Sequence, residues 1–128
     1  MSNLFIGLGA LSAFVSVAAG AFGAHALKQT LDADMLAVYH TAVDYQFFHS
    51  LGLIVIGTLQ RISPRRCHRI AAWIMLAGII IFSGSLYLLS LSGTRWLGMV
   101  TPIGGVGFLL AWLILASCYL MNAYQRDN

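Results

Sequence analysis

The chain has 128 residues, enough for one compact unit and too few for two ordinary domains. Charged residues make up 9% of it and hydrophobic residues 59%, against about 25% charge in soluble domains, so it cannot cover a water-facing surface. The net charge of +3 would suggest nucleic acid in a soluble protein, but here the basic residues crowd into one short loop and no nucleic-acid partner is expected.

With a mean hydropathy of +0.83, the lipid bilayer is the expected solvent. A helix needs about 20 mainly apolar residues to cross roughly 30 Å of hydrocarbon. Four runs qualify, at about 3–24, 38–60, 70–91 and 99–122. They predict an all-α integral membrane bundle of four transmembrane helices, one domain over 1–128, with antiparallel neighbours because the connections are short.

The first run has small residues that resemble a signal-peptidase site, yet it lacks a basic leading region and its apolar stretch is long. It is read as a retained span. Ser12, Ser16, Gly20 and Ala24 recur every fourth residue and form a smooth stripe that lets a neighbouring backbone come close. The run ends in G-A-F-G-A-H, which supplies Gly23 as a second packing glycine and places His25 at that end.

The next loop carries Thr30 and Asp32, either of which can cap a helix starting near A-D-M-L-A-V-Y-H. The second run holds Y-H-T-A-V-D-Y-Q-F-F-H-S, with His40, Asp44, Tyr45 and His49 in a helix that enters lipid. An ionisable group at the centre of such a helix costs about 2.5–3.5 kcal/mol or more. Counted at 1.5 Å per residue from Arg61, His49 lies about 18 Å up, Asp44 about 25 Å and His40 about 31 Å. His40 and Asp44, four apart, share a face and can pair. Thr41, Tyr45 and His49 form a second row about 100–140° round from Asp44.

Between the second and third runs lies R-I-S-P-R-R-C-H-R, with Arg61, Arg65, Arg66 and Arg69, four of the seven Lys and Arg residues. By the positive-inside rule this loop, and with it both termini, is cytoplasmic. Cys67 sits in the loop and Cys118 near the end of the last run. Without a CxxC spacing, they are expected to be two unpaired thiols.

The third run brings Ser83, Ser85 and Tyr87 to the depth of the histidines, with Gly84 expected as a helix-packing glycine, and Ser83 or Ser85 lies at a suitable depth to partner His49. The fourth begins T-P-I-G-G, where Thr101 can cap and proline suits the first turn. Gly104 and Gly105 leave the helix N-terminal amides approachable, with Asp44 as a candidate guest. All four runs thus deliver polar residues to the outer half of the bilayer, like a cup open to the outside.

G-A-F-G-A-H (20–25), Y-Q-F-F-H (45–49), F-S-G-S-L-Y (82–87) and T-P-I-G-G (101–105) resemble, in order and spacing, a small bacterial membrane family catalogued as domain of unknown function 423. The resemblance covers essentially the whole chain and implies a four-helix inner-membrane protein. It carries no activity, because the family name records none.

Three functional classes follow. In the first, His25, His40, Asp44, Tyr45, His49, Ser83, Ser85, Tyr87 and Thr101 line a pocket for a cation, a proton or a small polar ligand. A homo-oligomer would be needed to complete a transport path. In the second, the cluster only fixes helix packing or an oligomer contact. In the third, His25, His40, Asp44 and His49 ligate a metal or haem, which requires two histidines facing each other at one depth. No cofactor and no catalytic residue is predicted: the chain has no nucleophile elbow, Walker loop or HExxH, and a Ser83, His49, Asp44 triad has unfavourable geometry.

Overall fold

A computed structural model describes residues 1–126, with side chains through Met121. The elements in order are α1 (Ser2–His25), a 3₁₀ turn (Leu27–Gln29), α2 (Ala33–Ile62), α3 (Arg66–Ser92), a second 3₁₀ turn (Arg95–Met99) and α4 (Thr101–Arg126). The four helices are long and apolar enough to cross a membrane. Their helical bounds exceed the predicted spans at several ends, because backbone hydrogen bonding continues into the headgroup zone after the apolar run has stopped. α2 is the clearest case: Asp32 Oδ1 accepts from Met35 N at 2.8 Å, so the helix starts five residues before the predicted 38. α3 ends at Gly93, whose φ of 70° suits a residue without Cβ.

The helices do not form a symmetrical square. α2 and α3 are central, with 39% of each apolar stretch buried against 17% for the outer helices. α1 packs along α2, and α4 along α3. Lipid-facing Leu11, Phe14 and Val17 on α1 and Leu109, Leu113 and Leu120 on α4 are all exposed, as expected of outer helices that are apolar all round.

Glycines set how closely the pairs approach. A Cβ on Gly104 would lie 2.4 Å from Phe82 N, so α4 rests directly on the α3 backbone. On the other flank a Cβ at Gly23 would meet the Tyr39 ring at 2.6 Å. The stripe read from the first run does face α2, since the Ser16 hydroxyl donates to the Val43 carbonyl at 2.8 Å. Ala24, its last member, is exposed. Toward the end bearing the arginine loop, Phe5, Leu53, Ile56, Ala71, Ala72, Met75 and Ala111 form a fully buried apolar core drawn from all four helices.

Cys67 and Cys118 are bridged by a disulfide, with Sγ atoms 2.01 Å apart, which corrects the expectation of two unpaired thiols. The pairing joins the first turn of α3 to the far end of α4. Antiparallel packing places these ends together although 51 residues separate them, a relationship that no short spacing rule detects.

Candidate functional site

The predicted polar residues share an end of the bundle but not a centre. The central α2–α3 pair divides them among separate faces, and several expected partnerships are absent for that reason. Depth along a helix follows from counting residues; direction around the axis does not.

Toward α1, Gln46 is the organising residue. Its Nε2 donates to the Ser12 carbonyl at 3.1 Å, and its Oε1 accepts from the Tyr87 hydroxyl at 2.8 Å. The Ser50 hydroxyl donates to Ser12 Oγ at 2.7 Å and Tyr39 donates to the Ala19 carbonyl at 2.8 Å. Tyr39 and Tyr87 meet edge to face at 5.2 Å. One neutral network therefore ties α1, α2 and α3 together. Gln46 lies inside Y-Q-F-F-H, where a neutral amide carries no charge penalty that would single it out in the sequence.

Beside this network a groove of about 430 Å³ runs between α1 and α3, lined by apolar Leu8, Leu11, Val15, Leu76, Ile79 and Ile80. Its polar wall is Ser12, Gln46, Ser83 and Tyr87. Ser83 is 1% exposed and its hydroxyl has no hydrogen-bond partner, an uncommon state for a buried polar group. Gly84, expected as a packing glycine, instead lines the groove: a Cβ placed there would touch nothing within 4 Å, so no neighbouring helix rests on it.

Toward α4, Tyr45 and His49 lie in a second groove of about 400 Å³ with Phe82, Phe108 and Trp112. The His49 ring stacks on Phe108 at 3.5 Å. Its Nδ1 lies 2.7 Å from the Tyr45 carbonyl, and because a carbonyl only accepts, Nδ1 is the donor in this bond. His49 thus bonds within its own helix, and neither Ser83 nor Ser85 is its partner. Ser85 instead pairs with Thr101 at 2.8 Å. Thr101 does not cap α4 from outside; it is the first helical residue and reaches Ser85 and the Leu97 carbonyl.

Asp44 is exposed in a shallow furrow with Ser16, Val17, Gly20 and Ala21 of α1. It makes no hydrogen bond to His40, and the furrow places it against α1 instead of at the α4 N-terminus. His25 is exposed, and His40 lies edge-on to Tyr39 with no hydrogen bond among the described residues. No group of three ligating side chains within reach of one another includes His25, His40, Asp44 or His49 among the described residues. Among the described residues, the group of three metal-ligating side chains within reach of one another is Cys67, His68 and Cys118, at the opposite end. Ser83, His49 and Asp44 line three different surfaces, so the triad has no geometry.

At that opposite end Arg65, read in the sequence only as a topology marker, donates to the Cys118 carbonyl at 3.3 Å and lies 5.4 Å over the Tyr119 ring. Arg61, Arg66 and Arg69 are exposed.

This geometry defines a four-span integral membrane protein whose central helix pair carries one lateral groove on each side. The chain belongs to the family described as Protein of unknown function (DUF423), whose profile matches residues 19–105. It is 44% identical over 114 residues to the UPF0382 membrane protein YwdK of Bacillus subtilis, covering 88% of this chain and 93% of that one. It is 46% identical over 121 residues to a UPF0382 membrane protein of Staphylococcus epidermidis, covering 94% and 98% of the two chains. A Haemophilus influenzae relative of the same description is 39% identical over 116 residues, covering 91% and 93%. No solved structure matches the chain.

Proposed function

We propose that this protein binds a small, uncharged amphiphile that enters the α1–α3 groove sideways from the bilayer. The observation that carries the reading is Ser83: a fully buried hydroxyl without a partner, on the wall of a groove that is otherwise apolar. About 430 Å³ falls within the range of small-molecule sites, which are mainly apolar with a few placed polar groups. The groove wall has no acid, base or histidine, so a carbonyl, ester or hydroxyl head group suits it better than the cation or proton read from the sequence. Exposed Leu11 and Val15 on one rim and Ile80 on the other leave the entrance facing lipid acyl chains.

The same reading places the Arg61–Arg69 loop and both termini on the cytoplasmic side of a bacterial inner membrane. A long-chain fatty alcohol carrying a diazirine tests the groove. Photolabelling in lipid nanodiscs should concentrate on α1 and α3 near Leu11, Ile80 and Ser83, and should fall more than about tenfold in Gly84→Leu, whose side chain fills the open space. Equal labelling of all lipid-facing helices would reject the proposal.

A further inference from the structure

The Cys67, His68, Cys118 cluster is untouched by the groove and independent of it. Two sulfur atoms and one imidazole nitrogen lie within 4.8 Å of one another. Donors around a tetrahedral ion, with metal–sulfur and metal–nitrogen bonds of about 2.3 and 2.0 Å, stand about 3.5–3.8 Å apart. Once the sulfur–sulfur bond opens, the two sulfurs must separate by about 1.8 Å and the imidazole must close by no more than about 1.3 Å to reach that spacing, shifts that side-chain rotation can supply.

Four further observations bear on a ligand. His68 is 0% exposed, and its Nδ1 has no hydrogen bond of good geometry, the ring having only an approach to the Ser63 backbone. A buried imidazole with a spare nitrogen demands a reason. Its other nitrogen, Nε2, is 3.1 Å from the Tyr119 hydroxyl, the kind of outer contact that orients a ligating histidine. Both cysteines also line a cavity of about 730 Å³ with Arg65, Ser117 and Met121, which provides an entry path and room for a fourth ligand. Cys67 lies in the first turn of α3 and the Arg65 guanidinium lies 3.9 Å from Cys118 Sγ, the electropositive setting that favours thiolates.

We propose that reduction of the Cys67–Cys118 bridge turns this end of the bundle into a site for one thiophilic transition-metal ion, held by both thiolates and a His68 ring nitrogen. A small dithiol supplies two electrons and two protons, becoming a disulfide itself while Cys67 and Cys118 become thiols. A divalent ion then binds the two sulfurs and displaces two protons. Re-oxidation of the pair by a disulfide-bearing partner reverses the exchange and releases the ion. The cytoplasmic placement of the arginine loop puts the cluster where thiols are kept reduced.

Cobalt(II) titration of full-length protein in nanodiscs, reduced with dithiothreitol and then freed of it without air, tests the site. The reduced protein should take up one Co²⁺ per chain with sulfur-to-cobalt charge-transfer absorption, and Zn²⁺ should bleach it. The oxidised protein is the same folded chain and should show neither. Tyr119→Phe should weaken binding about tenfold or more while leaving the charge-transfer band in place. Cobalt uptake equal in the reduced and oxidised protein, uptake without thiolate absorption, or an unchanged affinity in His68→Gln would each overturn the assignment.

Discussion

The Tyr87 hydroxyl donates to Gln46 Oε1 across 2.8 Å while the same amide holds the Ser12 carbonyl through Nε2 at 3.1 Å. A single side chain on α2 thereby joins α1 on one side to α3 on the other. Gln46 is buried at 7% exposure, so few other hydrogen-bond partners can reach its amide.

Gln46→Leu should therefore destabilise the fold by about 1–2 kcal/mol, because the Tyr87 hydroxyl and the Ser12 carbonyl both lose their bond to the Gln46 amide. Tyr87→Phe removes one bond and should cost about 0.5–1 kcal/mol. Unfolding of the purified variants measured by steric trapping in bicelles checks both values. A Gln46→Leu protein as stable as its parent would show that the network is not what joins the three helices.

Ser83→Ala should behave in the opposite way. The hydroxyl is buried and unpaired, so its removal should leave stability unchanged or raise it by about 1 kcal/mol. Ligand retention should nevertheless drop about 3–10-fold, the worth of one hydrogen bond. Thermal unfolding and photolabel yield, measured on the same preparation, separate the two effects.

The neighbouring glycines of T-P-I-G-G should differ sharply. Gly104→Ala forces a Cβ to within 2.4 Å of Phe82 N and should destabilise by about 1–3 kcal/mol. At Gly105 the nearest atoms are Phe82 ring carbons at 3.7 Å, an ordinary contact, so Gly105→Ala should be neutral or mildly stabilising. Similar losses in the two variants would contradict the packing of α4 on α3.

Asp44→Asn should change unfolding stability by less than about 0.5 kcal/mol, because the carboxylate makes no hydrogen bond or ion pair among the described residues. A loss above about 1.5 kcal/mol would show that Asp44 has a partner inside the bundle.

Much of the architecture is legible in the sequence because lipid imposes a length of about 20 apolar residues on every helix. Four spans, their order and the Asp32 cap follow from that rule and from capping chemistry. The azimuth of each helix does not, since a helix apolar on all sides gives no stripe to orient it. Counting residues puts Asp44 and His49 toward the same end of α2, yet one lies beside α1 and the other against Phe108. Gln46 and the Cys67–Cys118 pair escape for related reasons: the first is neutral, and the second becomes a pair only after α3 and α4 fold back on each other.

The central claim is that the α1–α3 groove holds a small amphiphile, and mass spectrometry of the intact protein released from its own membrane tests it most directly. The parent should carry one bound lipid-soluble molecule per chain, present in Gly105→Ala and depleted more than about tenfold in Gly84→Leu, with all three proteins equally helical. A parent that flies without adduct, or an adduct retained in full by Gly84→Leu, would contradict it.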